Sequence, residues 1–188
     1  MKRILFATGL LFWGGLLALP APGAEWAMDA AHSKLTFTAE SRFFSADGQF
    51  RKFLVKADVD EQKLENSKIA VSVDVASLDT NNETRDNHLR SKDFFDAATY
   101  PAATINIKAI RKAAENSYAA ESEITLRGVT KNVVLPVRVL LFENGLLRFR
   151  GETELNRKDF GISYDSRMNP ISDAVLIRYE VNLRKPKP

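Results

Sequence analysis

The stretch "NVVLPVRVLLFENGLLRFRGETEL", Asn132 to Leu155, decides the fold. Val133, Leu135, Val137 and Val139 fall on one face of an extended chain, and Leu147, Phe149 and Leu155 do the same beyond the break. Alternation with period two marks a strand with one buried face, because successive side chains point to opposite sides of a sheet. Between the two runs stands Asn144-Gly145. Both residues tolerate the positive φ of a tight primed turn, so the stretch reads as a β-hairpin. Pro136 cannot donate to a ladder and is expected on the outward side of its strand, near an edge or a distortion.

The same alternation recurs outward from this hairpin. Toward the C-terminus Val175, Ile177, Tyr179, Val181 and Leu183 share a face. Toward the N-terminus so do Ala120, Ile124 and Leu126, then Ala103, Ile105 and Ile107, then Ile69, Val71, Val73 and Val75, then Leu35, Phe37 and Ala39. Arg127-Gly128 is a weaker turn signal, and the spacing of three between Phe50 and Phe53 suggests a bulge or a misplaced strand boundary. About eight strands with short connections predict an all-β antiparallel barrel or sandwich. A barrel would remove the exposed edges of a long meander. The inward face mixes large aliphatic residues with Ser33, Ala39, Ala103, Ala120, Ser122 and Gly151. Small inward residues can leave a ligand cavity or simply fit the taper of a filled core, and composition does not choose between the two.

Two stretches resist the strand reading. Glu61 to Ser67 looks like a polar turn or one helical turn. The region from about Thr84 to Asp96 looks helical, with Asn81, Asn82 and Thr84 as candidate N-caps and Tyr100-Pro101 restricting the chain beyond it.

The chain begins with Lys2 and Arg3, continues with an apolar run from Ile4 to Leu19, and then has small residues and prolines. This is the layout of a secretory signal peptide, expected to be cut after Gly23 or Ala24, and residues 25–188 are expected to form one domain. The apolar run is near the lower limit for spanning a bilayer, so a retained anchor is the alternative. The leader carries off two basic groups and no acid, which brings the 27 Lys and Arg close to balance with the 24 Asp and Glu. No nucleic-acid footprint is expected from that balance. With no cysteine in the chain, disulfides, thiolate metal sites and a cysteine-linked lipid anchor are excluded.

Candidate chemistry is sparse. His32 and His88 are the only histidines and stand far apart, so no metal site is predicted. Nucleophile elbows are absent, and Ser33 directly after His32 on a strand would face the opposite way. In "RDNHLRSKDFF", Arg85 to Phe95, Asp86 and His88 could act as acid and base, but no nucleophile or cofactor loop accompanies them. The better reading is that Arg85 and Asp86 hold a helix-loop junction by ion pairing and backbone hydrogen bonds. Phe94-Phe95 is then either a core plug or the wall of an apolar cavity. In "NRKDFGISYD", Arg157 and Asp159 are expected to tie a barrel end while Phe160 folds inward and Gly161 makes a tight turn.

A family resemblance rests on residues across the chain. "W-x-x-D-x-x-HS-x-x-x-F" at Trp26 to Phe37, "G-x-F-x-x-F" at Gly48 to Phe53, "SLDTNNETRDNHLRSKDFFDAATYP" at Ser77 to Pro101, "ITLRGVTKNVVLPV" at Ile124 to Val137 and "NRKDFGI" at Asn156 to Ile162 resemble the YceI-like family. The resemblance implies a periplasmic, lipocalin-like extended barrel of about eight strands with one or two short helices. It further implies an elongated tunnel for a polyisoprenoid or another long-chain amphipathic lipid, with Phe94 and Phe95 packed into the interior from a helix beside the barrel.

On this basis the expected ligand-binding lining is Leu35, Phe37, Phe50, Phe53, Val71, Val73, Phe94, Phe95, Ile105, Ile107, Ile124, Leu126, Phe149, Ile177 and Tyr179. No catalytic residue, metal or cofactor is expected. Transient membrane contact and a homodimer are both compatible with the sequence. The competing readings are an enzyme acting on an isoprenoid or quinone-like substrate, and a filled barrel that serves only interactions.

Overall fold

The structure, a computed structural model, describes residues 25–186, and the expected leader lies outside the described residues. In chain order the strands are β1 (Glu25–Met28), β2 (Lys34–Ser41), β3 (Ser45–Phe50), β4 (Phe53–Asp58), β5 (Lys68–Asp74), β6 (Leu78–Asp79), β7 (Ala102–Ala114), β8 (Ser117–Leu126), β9 (Val129–Glu143), β10 (Leu146–Asn156) and β11 (Ile171–Arg184). One α-helix, α1 (Glu83–Arg90), and four 3-10 turns complete the set.

All pairings are antiparallel, and three lines of strand are each broken once. A 3-10 turn at Ala30–His32 separates β1 from β2, Arg51 and Lys52 separate β3 from β4, and a second 3-10 turn at Val75–Ser77 separates β5 from β6. With each broken line counted once, the meander has eight lines and closes on itself. Closure runs along β11, which pairs with β1 at Ala27 opposite Arg184 and Met28 opposite Leu183, and with β2 from Lys34 opposite Glu180 onward. The spacing of three at Phe50 and Phe53 is therefore a strand boundary, the second of the two expected readings, and not a bulge. β3 pairs with β2 and β6, whereas β4 pairs with β1 and β5.

The break between β1 and β2 is pinned to β11. Asp29 accepts a hydrogen bond from Arg184 at 2.8 Å and lies 3.0 Å from His32 Nδ1. These two hydrogen bonds, His32 first, hold its carboxyl down at about 2. The Ser33 hydroxyl donates to the Asp29 carbonyl and accepts from the Asn182 amide. His32 and Ser33 thus sit on a kink and not on a strand, because the chain must turn here to change register along β11.

Turn chemistry is as the sequence predicts. Asn144 (φ 51°) and Gly145 (φ 70°) close β9 onto β10, and Arg127 (φ 50°) and Gly128 (φ 75°) close β8 onto β9. Of the register shifts in the sheet, two re-phase the alternation along the cavity wall. Ile107 pairs with Ser122 and Ala109 with Glu121, which leaves Lys108 unpaired. Arg148 pairs with Leu141 and Phe149 with Val139, which leaves Leu140 unpaired. Each extra residue reverses the facing of the strand beyond it, so Ile110 and Phe142 turn inward.

Pro136 points outward, and the distortion lies beside it. β9 and β10 pair only from the hairpin down to Arg138 opposite Arg150. Beyond that point β9 stays on β8 and β10 stays on β11, with no pairing between them. A residue's N–H and C=O address the same neighbouring strand, so the donor that Pro136 lacks would have faced β10. Its carbonyl instead accepts a 2.5 Å hydrogen bond from the hydroxyl of Tyr179 on β11. That side chain passes over Gly151, its cross-strand partner, where a Cβ would fall 2.0 Å from the Pro136 oxygen and 2.4 Å from the Tyr179 hydroxyl.

Two outcomes are expected. Gly151→Ala should destabilise the folded chain by about 1–3 kcal/mol in urea unfolding, since backbone oxygen cannot move aside cheaply; unchanged stability would disprove the crossing. Asp29 should titrate near 2, and Arg184→Gln should raise that midpoint toward the ordinary carboxylate range in carboxyl NMR. A depressed pKa contributes stability above the unfolded value and loses it as pH falls through about 2, so the anchor holds throughout neutral and mildly acidic conditions.

Candidate functional site

The inward faces of the strands surround a cavity of about 260 Å³ whose exposed wall is apolar. Two packed clusters bracket it. At one end Trp26, Val55, Ala57, Leu147, Val181 and Leu183 are buried together, and at the other Ala120, Ile124, Leu135 and Phe160. Along β11 the lining runs from Ile171 to Val181, roughly 25 Å of tilted barrel. The space exceeds the ~150 Å³ of an apolar cavity that stays dry and binds a small hydrocarbon.

Each residue of the sequence-derived lining faces this cavity: Leu35 and Phe37 on β2, Phe50 and Phe53 at the β3–β4 break, Val71 and Val73 on β5, and Ile105 and Ile107 on β7. Ile124 and Leu126 on β8, Phe149 on β10, Ile177 and Tyr179 on β11, and Phe94 and Phe95 below α1 complete it. Other wall residues were not anticipated. Leu64 comes from the polar turn, Leu89 from the charged helix, and Ile110 from beyond the β7 bulge. Tyr118, Leu135, Val137 and Val139 were legible, since they lie on the alternating faces of β8 and β9. Phe160 and Ile162 belong to the inward fold at the end of β10.

The helix is shorter than its sequence suggests. Asn82 caps it by accepting from the Arg85 amide at 3.0 Å, and α1 ends at Arg90. Ser91 to Phe95 then form turns, with the Phe94 amide bonded to the Ser91 carbonyl and the Phe95 amide to Leu89. On a continued helix, adjacent side chains would diverge by about 100°. The turn lets both rings face the barrel. Phe95 meets Phe50 edge-on at 6.0 Å, and Phe50 lies 5.6 Å from Phe37. Phe37 in turn lies over Gly48, where a Cβ would come within 2.3 Å of the ring.

The charged residues of α1 serve this floor. Asp86 is buried and accepts from the Thr80 amide at 2.9 Å and the Thr80 hydroxyl at 2.6 Å. Arg85 donates to the Thr80 hydroxyl and carbonyl, both at 2.8 Å. The two side chains meet through Thr80 and not as an ion pair, which corrects the sequence reading. Arg90 ties the helix to the carbonyls of Ala76 and Leu78. His88 stacks edge-on against Phe94 and Tyr164 and bonds Asp93 at 3.0 Å. No group of three or more His, Asp or Glu that could hold a metal occurs among the described residues.

A second tie lies at the end of β10. Arg157 is buried and donates to the carbonyls of Ile162, Tyr164, Ile171 and Ser172. Its acidic partner is Asp173 at 3.3 Å, not Asp159, because β11 and not the 3-10 turn runs beside the guanidinium. Phe160 folds inward and Gly161 takes φ 73°, as expected.

Barrel closure around an elongated apolar cavity places the chain among the up-and-down β-barrels built to enclose a hydrophobic space. The chain belongs to the YceI-like domain family, whose model matches residues 26–183. A UPF0312 protein of Vibrio campbellii is 34% identical over 172 residues, covering 86% of this chain and 89% of the relative. The crystal structure of Burkholderia cenocepacia BcnA superposes with a TM-score of 0.77 at 27% identity, over 82% of this chain and 98% of that one. A polyisoprenoid binding domain from Saccharophagus degradans, implicated in plant cell wall breakdown, shares the fold with a TM-score of 0.69 at 15% identity, over 87% and 99%.

Arg157→Met should cost about 3–5 kcal/mol, since it removes a buried guanidinium that satisfies four carbonyls, one buried and three partly buried, and pairs with a carboxylate. Lys158→Met, which removes an exposed partner of the same Asp173, should cost less than about 1 kcal/mol. Equal losses in urea unfolding would remove Arg157 as the anchor of this end.

Proposed function

We propose that this chain is a soluble periplasmic protein that holds a polyisoprenoid or similar long-chain amphipathic lipid lengthwise in its cavity, for carriage or storage. The carrying observation is the shape and chemistry of the cavity: long, narrow and apolar along its wall. Burying a methylene is worth roughly 0.8 kcal/mol, so a prenyl chain of several units gains enough to outweigh the cost of ordering it. A small polar metabolite gains nothing comparable. The binding named for the Saccharophagus degradans domain supports the same ligand class. The leader-like residues at the start of the chain support export, and the near balance of charge accords with a dissolved working form.

Passing contact with a membrane has its own support. Phe43, Phe44 and Met168 are exposed on two adjoining loops, which are joined by the hydrogen bond from the Arg42 amide to the Pro170 carbonyl. Arg42 stacks 5.4 Å above the Phe43 ring. Aromatic and aliphatic tips beside a cation suit brief insertion at a lipid headgroup layer.

Native mass spectrometry of the mature protein taken gently from its own cell envelope, followed by organic extraction, tests the proposal. A stoichiometric long-chain lipid is expected. Ile107→Asp, which sets a charge on the wall opposite Ser122, should lose it while still folding. A ligand-free mass that stays unchanged after incubation with prenyl lipids would overturn the reading, as would full loading of the Ile107→Asp protein.

A further inference from the structure

The unpaired seam between β9 and β10 bears on the ligand's other end. Outside the seam lies a groove whose charged residues are Lys34, Arg138, Arg150, Arg178, Glu152 and Glu180. Both acids are already engaged, Glu152 with Arg178 and Glu180 with Arg148. Arg138 and Arg150 stand directly opposite each other at the last rung of the ladder. Among the described residues neither lies in an ion pair. Like charges facing each other across a strand pair are destabilising. Glu180 faces Arg150 across β10 and β11, but its carboxylate is held by Arg148.

The groove backs directly onto the interior. Tyr118, Val137 and Tyr179 border both the groove and the apolar cavity. Below the arginine pair no ladder hydrogen bond joins β9 to β10. At the top of the seam the bond from the Tyr179 hydroxyl to the Pro136 carbonyl stands in for one. Burial pushes the Tyr179 hydroxyl well above the ordinary phenol range, so it remains a neutral donor across that gap. A chain leaving the cavity sideways here would have to displace one side-chain hydrogen bond and no strand pairing.

We infer that the seam is a lateral mouth of the cavity, and that Arg138 and Arg150 clasp a phosphate head group carried by the lipid whose chain lies inside. The inference rests on the carrier reading above and names the class of head group. Two guanidinium forks facing one another match the several oxygens of a phosphate, and an anion between them removes their mutual repulsion. The tail enters past Tyr179 while the head stays in water at the rim.

The test compares geranylgeranyl monophosphate, geranylgeraniol and inorganic phosphate by titration calorimetry, on the unmodified protein and on the Arg138→Gln/Arg150→Gln double variant. Both substitutions are at exposed positions, so folding is not at issue. The phosphate lipid is expected to bind the unmodified protein at least about tenfold tighter than the alcohol, and the double variant should bring that ratio close to unity. Equal binding of the two lipids to the unmodified protein overturns the inference and leaves the carrier reading standing. So does a preference that survives in the double variant. Inorganic phosphate binding as tightly as the lipid phosphate would assign the arginines to a free anion and likewise overturn the inference. Binding of neither lipid would take down the carrier reading together with it.

Discussion

An eight-stranded ring has an interior just wide enough for its own side chains to fill. In this chain that space is kept open by setting large residues against small ones. Phe37 lies over Gly48 and Tyr179 over Gly151, so two aromatic rings occupy positions where any Cβ would collide. Ile110 faces Ala120, and Val73 faces Ala103. A leucine at each small position would close the middle of the barrel. The packed clusters stay at the ends, where they close the barrel and stabilise it. The buried side chains there contribute about 1.5–3 kcal/mol each, which lets the middle go unfilled.

Polar residues hold the ends in place, and of those named next only Arg157 borders the cavity. Asp86 through Thr80, Arg90 on the carbonyls of Ala76 and Leu78, and Arg157 on four carbonyls all satisfy backbone groups that the strand breaks leave without ladder partners. Buried backbone carbonyls need such partners. This accounts for charged side chains beside a double phenylalanine without any chemistry being required of them.

Much of the wall could be read from the sequence because alternation is a local signal. Leu35, Phe37, Ile105, Ile107, Ile124 and Ile177 declare their facing within a few residues. The features that could not be read depend on partners distant in sequence. Nothing near Lys108 or Leu140 announces a bulge, so the inward turn of Ile110 and Phe142 was hidden. The end of α1 at Arg90 reflects the need of both Phe94 and Phe95 to face the barrel, a tertiary demand on a segment that locally favours helix. Arg157 finds Asp173 and not Asp159 for the same reason, since β11 arrives beside it only in the fold. Gly151 looks like one more small residue until its neighbours, Pro136 and Tyr179, are in place.

The pairing of β1 with β11 has an effect on how the barrel assembles. Ala27 meets Arg184 and Met28 meets Leu183, so the ring joins nearly the first and the last described residues. A chain emerging N-terminus first can form its internal hairpins as they appear, but the ring stays open until the last strand is free. Contacts of such long sequence separation slow folding, because the loop-closure entropy is lost before the pairing is gained. Until then β1 and β11 present unpaired edges. With no cysteine to trap a partial structure covalently, the open meander remains able to rearrange until its two ends meet.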